Sequence, residues 1–407
     1  MKKAILILAL AVVSPKFVSA QITWNQQTGV GTNDLYSVTF PNVNDGWCCG
    51  SLGTILATTN GGNVWSQQTS TVSTNLFGIF FLDANNGWAC GETGVILHTT
   101  NAGSTWTAQN STVTLSLRSI NFSDLMNGWC VGLGNTILHT SNGGTTWAAQ
   151  TGSSPASALL TCVQFKSSTL GFITTAINTP NGYVEATSNG GTTWANQTAP
   201  TTNNLNSVDF YNTTAGWSCG KAGTIYKTTN GGTTWSNSNT GSGAHVYRGI
   251  SFADLNNGWV VGDSGYIYMT TNGGSSWTWQ NTFMISTLRS VHFVDATDGW
   301  AVGDNGTILR LATPGAVHEN MMFTDINIFP NPSNGNSTIQ ISSAKNTNAK
   351  YTVTDLSGRT IAEEAIELQQ GSNTIPMHLP AYMNKGIYTV IIENASGDRV
   401  VDRLNIQ

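Results

Sequence analysis

Apolar residues recur in one short pattern, Leu-x-x-Val/Ile-x-Phe, at residues 35–40, at Leu117–Phe122 and at Leu288–Phe293. Alternation of this kind predicts a half-buried strand. An Asx-rich turn follows each copy. Next come Gly-Trp-x-x-Gly, a tight Gly-x-x-Gly hairpin such as that from Gly303 to Gly306, a Thr-Ile-Leu strand, an Asn-Gly-Gly turn and a strand begun by Trp. Each unit therefore reads as four short strands that alternate in direction.

The unit repeats. Gly-Trp pairs fall at Trp47, Trp88, Trp129, Trp217, Trp259 and Trp300, with Gly171-Phe172 in the fourth place, at spacings of 41, 41, 43, 45, 42 and 41 residues. A second Trp closes six units, at Trp65, Trp106, Trp147, Trp194, Trp235 and Trp277; of the 14 Trp residues only Trp279 stands outside this register. Four strands in about 41 residues, repeated, predict propeller blades. The seventh unit starts at Leu288 and stops at Leu311 without its closing Trp strand, whereas residues 22–28 (Ile-Thr-Trp-Asn-Gln-Gln-Thr) match residues 64–69 (Val-Trp-Ser-Gln-Gln-Thr). The N-terminal segment is thus expected to supply the outer strand of the seventh blade, pairing with the strand near residues 307–311 and covering an open edge.

Composition agrees with an all-β chain. Only 9% of the residues are charged and 44 of the 407 are Gly, against a usual charged fraction of about a quarter, and the excess of Thr, Asn, Ser, Gly and Trp suits strands and turns. Lys2 and Lys3, the apolar run 4–13 and the small residues Val18-Ser19-Ala20 predict a signal peptide over residues 1–20. That run is too short to span a bilayer, and no later stretch approaches spanning length. Without those 20 residues, 13 basic and 21 acidic side chains leave a net charge of −8, which argues against nucleic acid as a partner.

The turn Thr140-Ser141-Asn142-Gly143-Gly144-Thr145-Thr146-Trp147 resembles the Asp-box, or bacterial neuraminidase repeat, with Asn where that pattern has Asp. With its Gly-Trp-x-x-Gly-x-x-Gly companion, the repeat over residues 21–312 resembles the seven-bladed propellers of photosystem II assembly and stability factors. In that family the box is a structural turn, and for an exported chain the resemblance implies no photosystem partner. Beyond a linker at 313–325, residues 326–407 carry 13 of the 37 charged side chains and three strand-like segments around Ile328, Val353 and Tyr388, the pattern of a small β-sandwich. This segment resembles the C-terminal sorting domain of the type IX (Por) secretion system. It implies the type IX machinery as a partner and delivery through the periplasm to the outer-membrane surface or the medium.

Candidate chemistry is sparse. Cys49, Cys90 and Cys219 stand where other units have Val131, Val261 and Val302, as small core residues would; no Cys-x-x-Cys suggests zinc, and no metal or cofactor is expected. His98 and His139 share a variable strand position. Asp83, Asp124, Asp254 and Asp295 recur in one turn, where Asx side chains cap backbone N–H groups. Glu185 replaces Leu56, Leu97, Leu138 and Tyr226 in an irregular fourth blade, which is expected to expose it; an acid in an apolar register is otherwise a candidate catalytic group.

The variable positions point to a surface. The residue after the leading apolar residue of strand one is Tyr36, Phe77, Arg118, Thr161, Asn206, Arg248 or Arg289, and the hairpins on the same face add Glu92, Lys221, Asp263 and Asp304. Repeat proteins hold core positions constant and vary those that read ligands. We therefore expect a secreted or surface-bound, non-catalytic binding propeller whose site comprises Arg118, Arg248, Arg289, Tyr36, Phe77, Lys221, Asp263 and Asp304, with a protein or carbohydrate ligand. The alternative is a glycoside hydrolase, since Asp-box propellers occur in sialidases and xyloglucan hydrolases; it needs two carboxylates facing one cleft.

Overall fold

A computed structural model of the chain describes residues 23–27, 31–176, 182–197, 203–241, 243, 245–280, 282, 284–312, 323–331, 333, 336–343, 345–355, 359–380, 383–394 and 399–406. The signal-peptide segment, Ile22 and most of the linker lie outside the described residues. The chain divides into two compact units, Met1–Pro314 and Gly315–Gln407.

The first unit is a seven-bladed propeller of four-stranded antiparallel sheets. Blades 1 to 6 begin with the innermost strands Leu35–Thr39, Leu76–Phe81, Leu117–Phe122, Leu159–Phe165, Leu205–Phe210 and Tyr247–Phe252. Blade 7 starts at Leu288–Phe293 and takes its outer strand from the other end of the chain: Thr23–Gln26 pairs antiparallel with Ile308–Ala312, with Trp24 opposite Leu311.

One aromatic arrangement joins the blades. The Trp of each Gly-Trp pair stacks face to face on the strand-one Phe of the next blade, and the closing Trp of that next blade meets the same Phe edge-on. Trp47, Phe81 and Trp106 show this, with ring centroids 3.6 and 5.8 Å apart. Phe172 fills the fourth place, stacked 3.6 Å from Phe210. The Gly of Gly-Trp makes room for the Phe, since a Cβ on Gly46 would fall 2.1 Å from the Phe40 ring. The Asn-Gly-Gly turns fold on their own side chains: Asn142 Oδ1 accepts from Thr146 N at 2.9 Å and Thr140 Oγ1 accepts from Gly144 N at 2.8 Å. Indole N–H groups then reach across blades to these turns, as Trp129 does to the Gly190 carbonyl at 3.2 Å.

In the second unit, Phe323–Phe329, Ser337–Ser343 and Gly371–Met377 form one sheet, and Thr360–Leu368, Thr347–Thr354, Gly386–Asn394 and Arg399–Ile406 form another. Ile339 and Ile341 of the first share a buried core with Tyr351, Val353, Val390 and Ile392 of the second, as a small sandwich requires.

Candidate ligand-binding cavity

Each innermost strand carries a β-bulge after its first apolar residue. The register shifts between Leu35 and Ser37, Leu76 and Gly78, Leu117 and Ser119, and likewise in the other four blades. The skipped residues are Tyr36, Phe77, Arg118, Thr161, Asn206, Arg248 and Arg289. A bulge frees its extra residue from the ladder and re-aims the side chain. All seven side chains, with Leu159, line one cavity of about 470 Å³.

The three arginines of this ring are not equivalent. Arg248 Nε pairs with Asp263 and Arg289 Nε with Asp304, each partner lying in the hairpin of the same blade. Arg118 has no such partner, because Leu133 holds the corresponding hairpin position in blade 3. Its Nε is buried without a hydrogen bond, and its guanidinium lies 3.9 Å from the centre of the Phe77 ring. Burial lowers its pKa from the ordinary arginine value, with Glu92 acting against that. Phe77 adjoins Tyr36 at 5.4 Å, and Arg289 lies over Tyr36 at 5.1 Å, so Arg118, Phe77, Tyr36 and Arg289 form a continuous arc of cation, ring, ring and cation. Burial, followed by the charge of Asp34, raises the Tyr36 pKa. Glu92 is oriented by Asn75, whose Nδ2 donates to it at 2.9 Å. Lys221 is exposed and, like Asp263 and Asp304, lies outside the cavity lining.

Below this ring lies a narrower space of about 130 Å³ bordered by Ser37, Ser119, Cys162, Ser207 and Ser290. One residue further along each strand, Val38, Ile79, Ile120, Val163, Val208, Ile250 and Val291 form an aliphatic girdle, each exposed by 7% or less. The opposite mouth, about 530 Å³, includes Asp209 and His292. Asp209 accepts from Gln164 Nε2 at 2.8 Å and from Phe252 N at 2.6 Å. Gln164 and Asn121 likewise cap the N–H of the next blade's Phe, so these polar residues clamp blade to blade.

Glu185 corrects the expectation drawn from the sequence. It is fully buried rather than exposed, and its carboxylate accepts from Ser153 N at 2.8 Å, Ser153 Oγ at 2.9 Å and Ser154 N at 3.1 Å. It ties the connection leading into blade 4 to the sheet. All six cysteines are free, and Cys48, Cys49, Cys90, Cys130 and Cys219 are buried. His98 and His139 stack on Trp88 and Trp129 at 4.6 and 4.7 Å, and burial lowers their pKa values. Among the described residues no cluster of three His, Cys, Asp or Glu could hold a metal ion, and no helix is long and apolar enough to cross a membrane.

Comparison with known proteins places these features in context. Residues 17–116, 185–286 and 237–312, together more than half of the chain, match the family described as photosynthesis system II assembly factor YCF48. Residues 327–407 match the secretion system C-terminal sorting domain. A structure of YCF48 bound to D1 peptide is similar at 20% identity and a TM-score of 0.60, over 71% of this chain and 97% of that one. YCF48 from Cyanidioschyzon merolae is similar at 18% identity and 0.60, over 72% and 100%. The GH74 enzyme of Niastella koreensis is similar at 16% identity and 0.58, over 79% of this chain and 59% of that one. At these identities the likenesses show the fold. A comparison with curated proteins returned no match.

Proposed function

The chain belongs to the photosynthesis system II assembly factor YCF48 family, and we propose that its propeller is a non-catalytic binding module, delivered to the cell surface or the medium by the type IX secretion machinery acting on residues 326–407. The sorting-domain match supports the route. The binding reading rests chiefly on one observation: seven bulged residues converge on one cavity, and one of them, Arg118, is a cation that makes no ion pair among the described residues and is stacked on an aromatic ring. An unpaired, partly buried guanidinium favours an anion, and the adjoining Phe77 and Tyr36 offer flat apolar contact. The ligand is accordingly a protein segment or glycan that presents an acidic group to the cavity. That YCF48 has been captured with a peptide makes a protein segment a natural occupant for this fold.

The likeness to a GH74 enzyme keeps hydrolysis as the alternative. Glycoside hydrolysis calls for two carboxylates across one cleft, and the lining residues Tyr36, Phe77, Arg118, Leu159, Thr161, Asn206, Arg248 and Arg289 contribute none. An array of acidic oligosaccharides and acidic peptides, probed with the full exported chain, tests the proposal. Retention of an acidic probe without turnover supports binding, and release of shortened sugar products would establish the hydrolase.

A further inference from the structure

Blade 6 departs from the other blades in its aromatic content, and independently of the central cavity. At the position of Leu56, Leu97 and Leu138 in blades 1 to 3, blade 6 has Tyr268, as blade 5 has Tyr226; where blades 1 to 5 carry Gln67, Ala108, Ala149, Asn196 and Asn237, blade 6 has Trp279. Tyr268 and Trp279 are direct partners across the ladder, so both side chains leave the same face of the sheet at neighbouring positions. Tyr266, two residues before Tyr268, shares that face. The His245 ring lies 3.8 Å from that of Tyr266, and Tyr266 lies 6.5 Å from Tyr268. Tyr247 supports the group from beneath, edge-on to Tyr268 at 5.9 Å, with its own hydroxyl engaged by Thr240 at 2.7 Å.

Tyr268 packs at its inner edge against the core that blade 6 shares with blade 5. The outer strand of blade 5 is only Ser236–Asn237, while those of blades 1 to 4 and 6 have three residues. Trp279 is 51% exposed. Tyr266 and Tyr268 are half-buried, and among the described residues their hydroxyls have no hydrogen-bond partner. The patch thus sets an exposed indole beside two phenols, whose hydroxyls are unpartnered among the described residues, and an imidazole.

We propose that Trp279, Tyr268, Tyr266 and His245 form a binding site for a neutral hexopyranose, a sugar unit of an uncharged glycan. The C–H face of a pyranose ring with equatorial hydroxyls is flat and apolar and lies on an indole, while its rim of hydroxyls needs donors and acceptors such as the two phenols and the imidazole supply. The rings that would meet the sugar are an indole, two phenols and an imidazole, with no carboxylate or guanidinium among them, which matches an uncharged ligand and separates this patch from the arginine-lined cavity.

The test is titration of the full chain with cellohexaose, followed by tryptophan fluorescence and calorimetry. Trp279→Gln places at this position the residue that blade 1 carries there, so the fold is retained; it is expected to weaken binding by about tenfold or more. Trp279→Phe keeps a smaller ring and retains part of the affinity. Arg118→Ala leaves cellohexaose binding unchanged. Absence of saturable binding by the unaltered chain, or binding that survives Trp279→Gln, would overturn the proposal.

Discussion

Trp300 of the seventh blade stacks on Phe40 of the first, with ring centroids 3.5 Å apart and planes 7° from parallel. The Trp300 indole N–H also donates to the Gly61 carbonyl at 2.9 Å. The two residues stand 260 positions apart in the chain, yet their contact repeats the stack made between consecutive blades, Phe172 taking the place of Trp between blades 4 and 5. The seam that closes the ring is therefore built like an ordinary blade interface.

Removing the ring at the seam tests this. Phe40→Ala should destabilise the propeller by about 3–5 kcal/mol, read from denaturant unfolding. Gly46→Ala should cost about 1–3 kcal/mol by overpacking, because its Cβ would overlap the Phe40 ring. In a Phe40→Leu background the Gly46→Ala penalty should shrink. Strictly additive effects would contradict the contact.

Glu185 serves structure rather than chemistry. Glu185→Ala strands three donors from Ser153 and Ser154 and should cost about 3 kcal/mol. Glu185→Gln should also destabilise, by about 1 kcal/mol or more, since an amide offers fewer acceptor sites to the same donors. Unchanged melting in both variants would show that the carboxylate is free for another role.

Stability should fall in mild acid, and His292 is a main cause. Burial pushes its imidazole down to about 4, opposed by a hydrogen bond with the Phe40 backbone. In the unfolded chain its value is about 6.5. As pH drops through 6.5 the unfolded chain takes up a proton that the folded chain refuses, so stability declines between pH 6.5 and 4 and levels off below. The loss is at most about 3 kcal/mol, and less because His292 is only half-buried at the mouth of the channel. His98 and His139, also lowered, add to the same slope. Urea unfolding of His292→Gln across this range should show a shallower slope, and an unchanged slope would refute the assignment.

Much of the fold was legible because aromatic residues mark each interface. The Trp and Phe positions repeat at about 41 residues, and the missing closing strand could be matched to residues 22–28. The variable ring was legible for the same reason, since seven aligned positions differed where their neighbours did not. What strings of residues do not display is pairing and cover. That Arg248 and Arg289 are neutralised while Arg118 is not depends on hairpins folding back 15 residues later onto Asp263, Asp304 or Leu133. Glu185 reads as exposed until residues 153 and 154 are laid over it. The aromatic group on blade 6 is not legible in the sequence because His245, Tyr266 and Trp279 come from three separate segments.

The central claim is that the cavity ringed by the bulged residues holds an acidic ligand through Arg118. The most direct measurement is calorimetric affinity of the full chain for the acidic probe retained on the array, compared with that of Arg118→Ala. The account predicts a loss of about tenfold or more with melting nearly unchanged, and tighter binding when Asp263→Asn and Asp304→Asn release Arg248 and Arg289. Affinity that is indifferent to Arg118→Ala, but lost when the Asn-Gly-Gly turns of the opposite face are altered without unfolding, would contradict it.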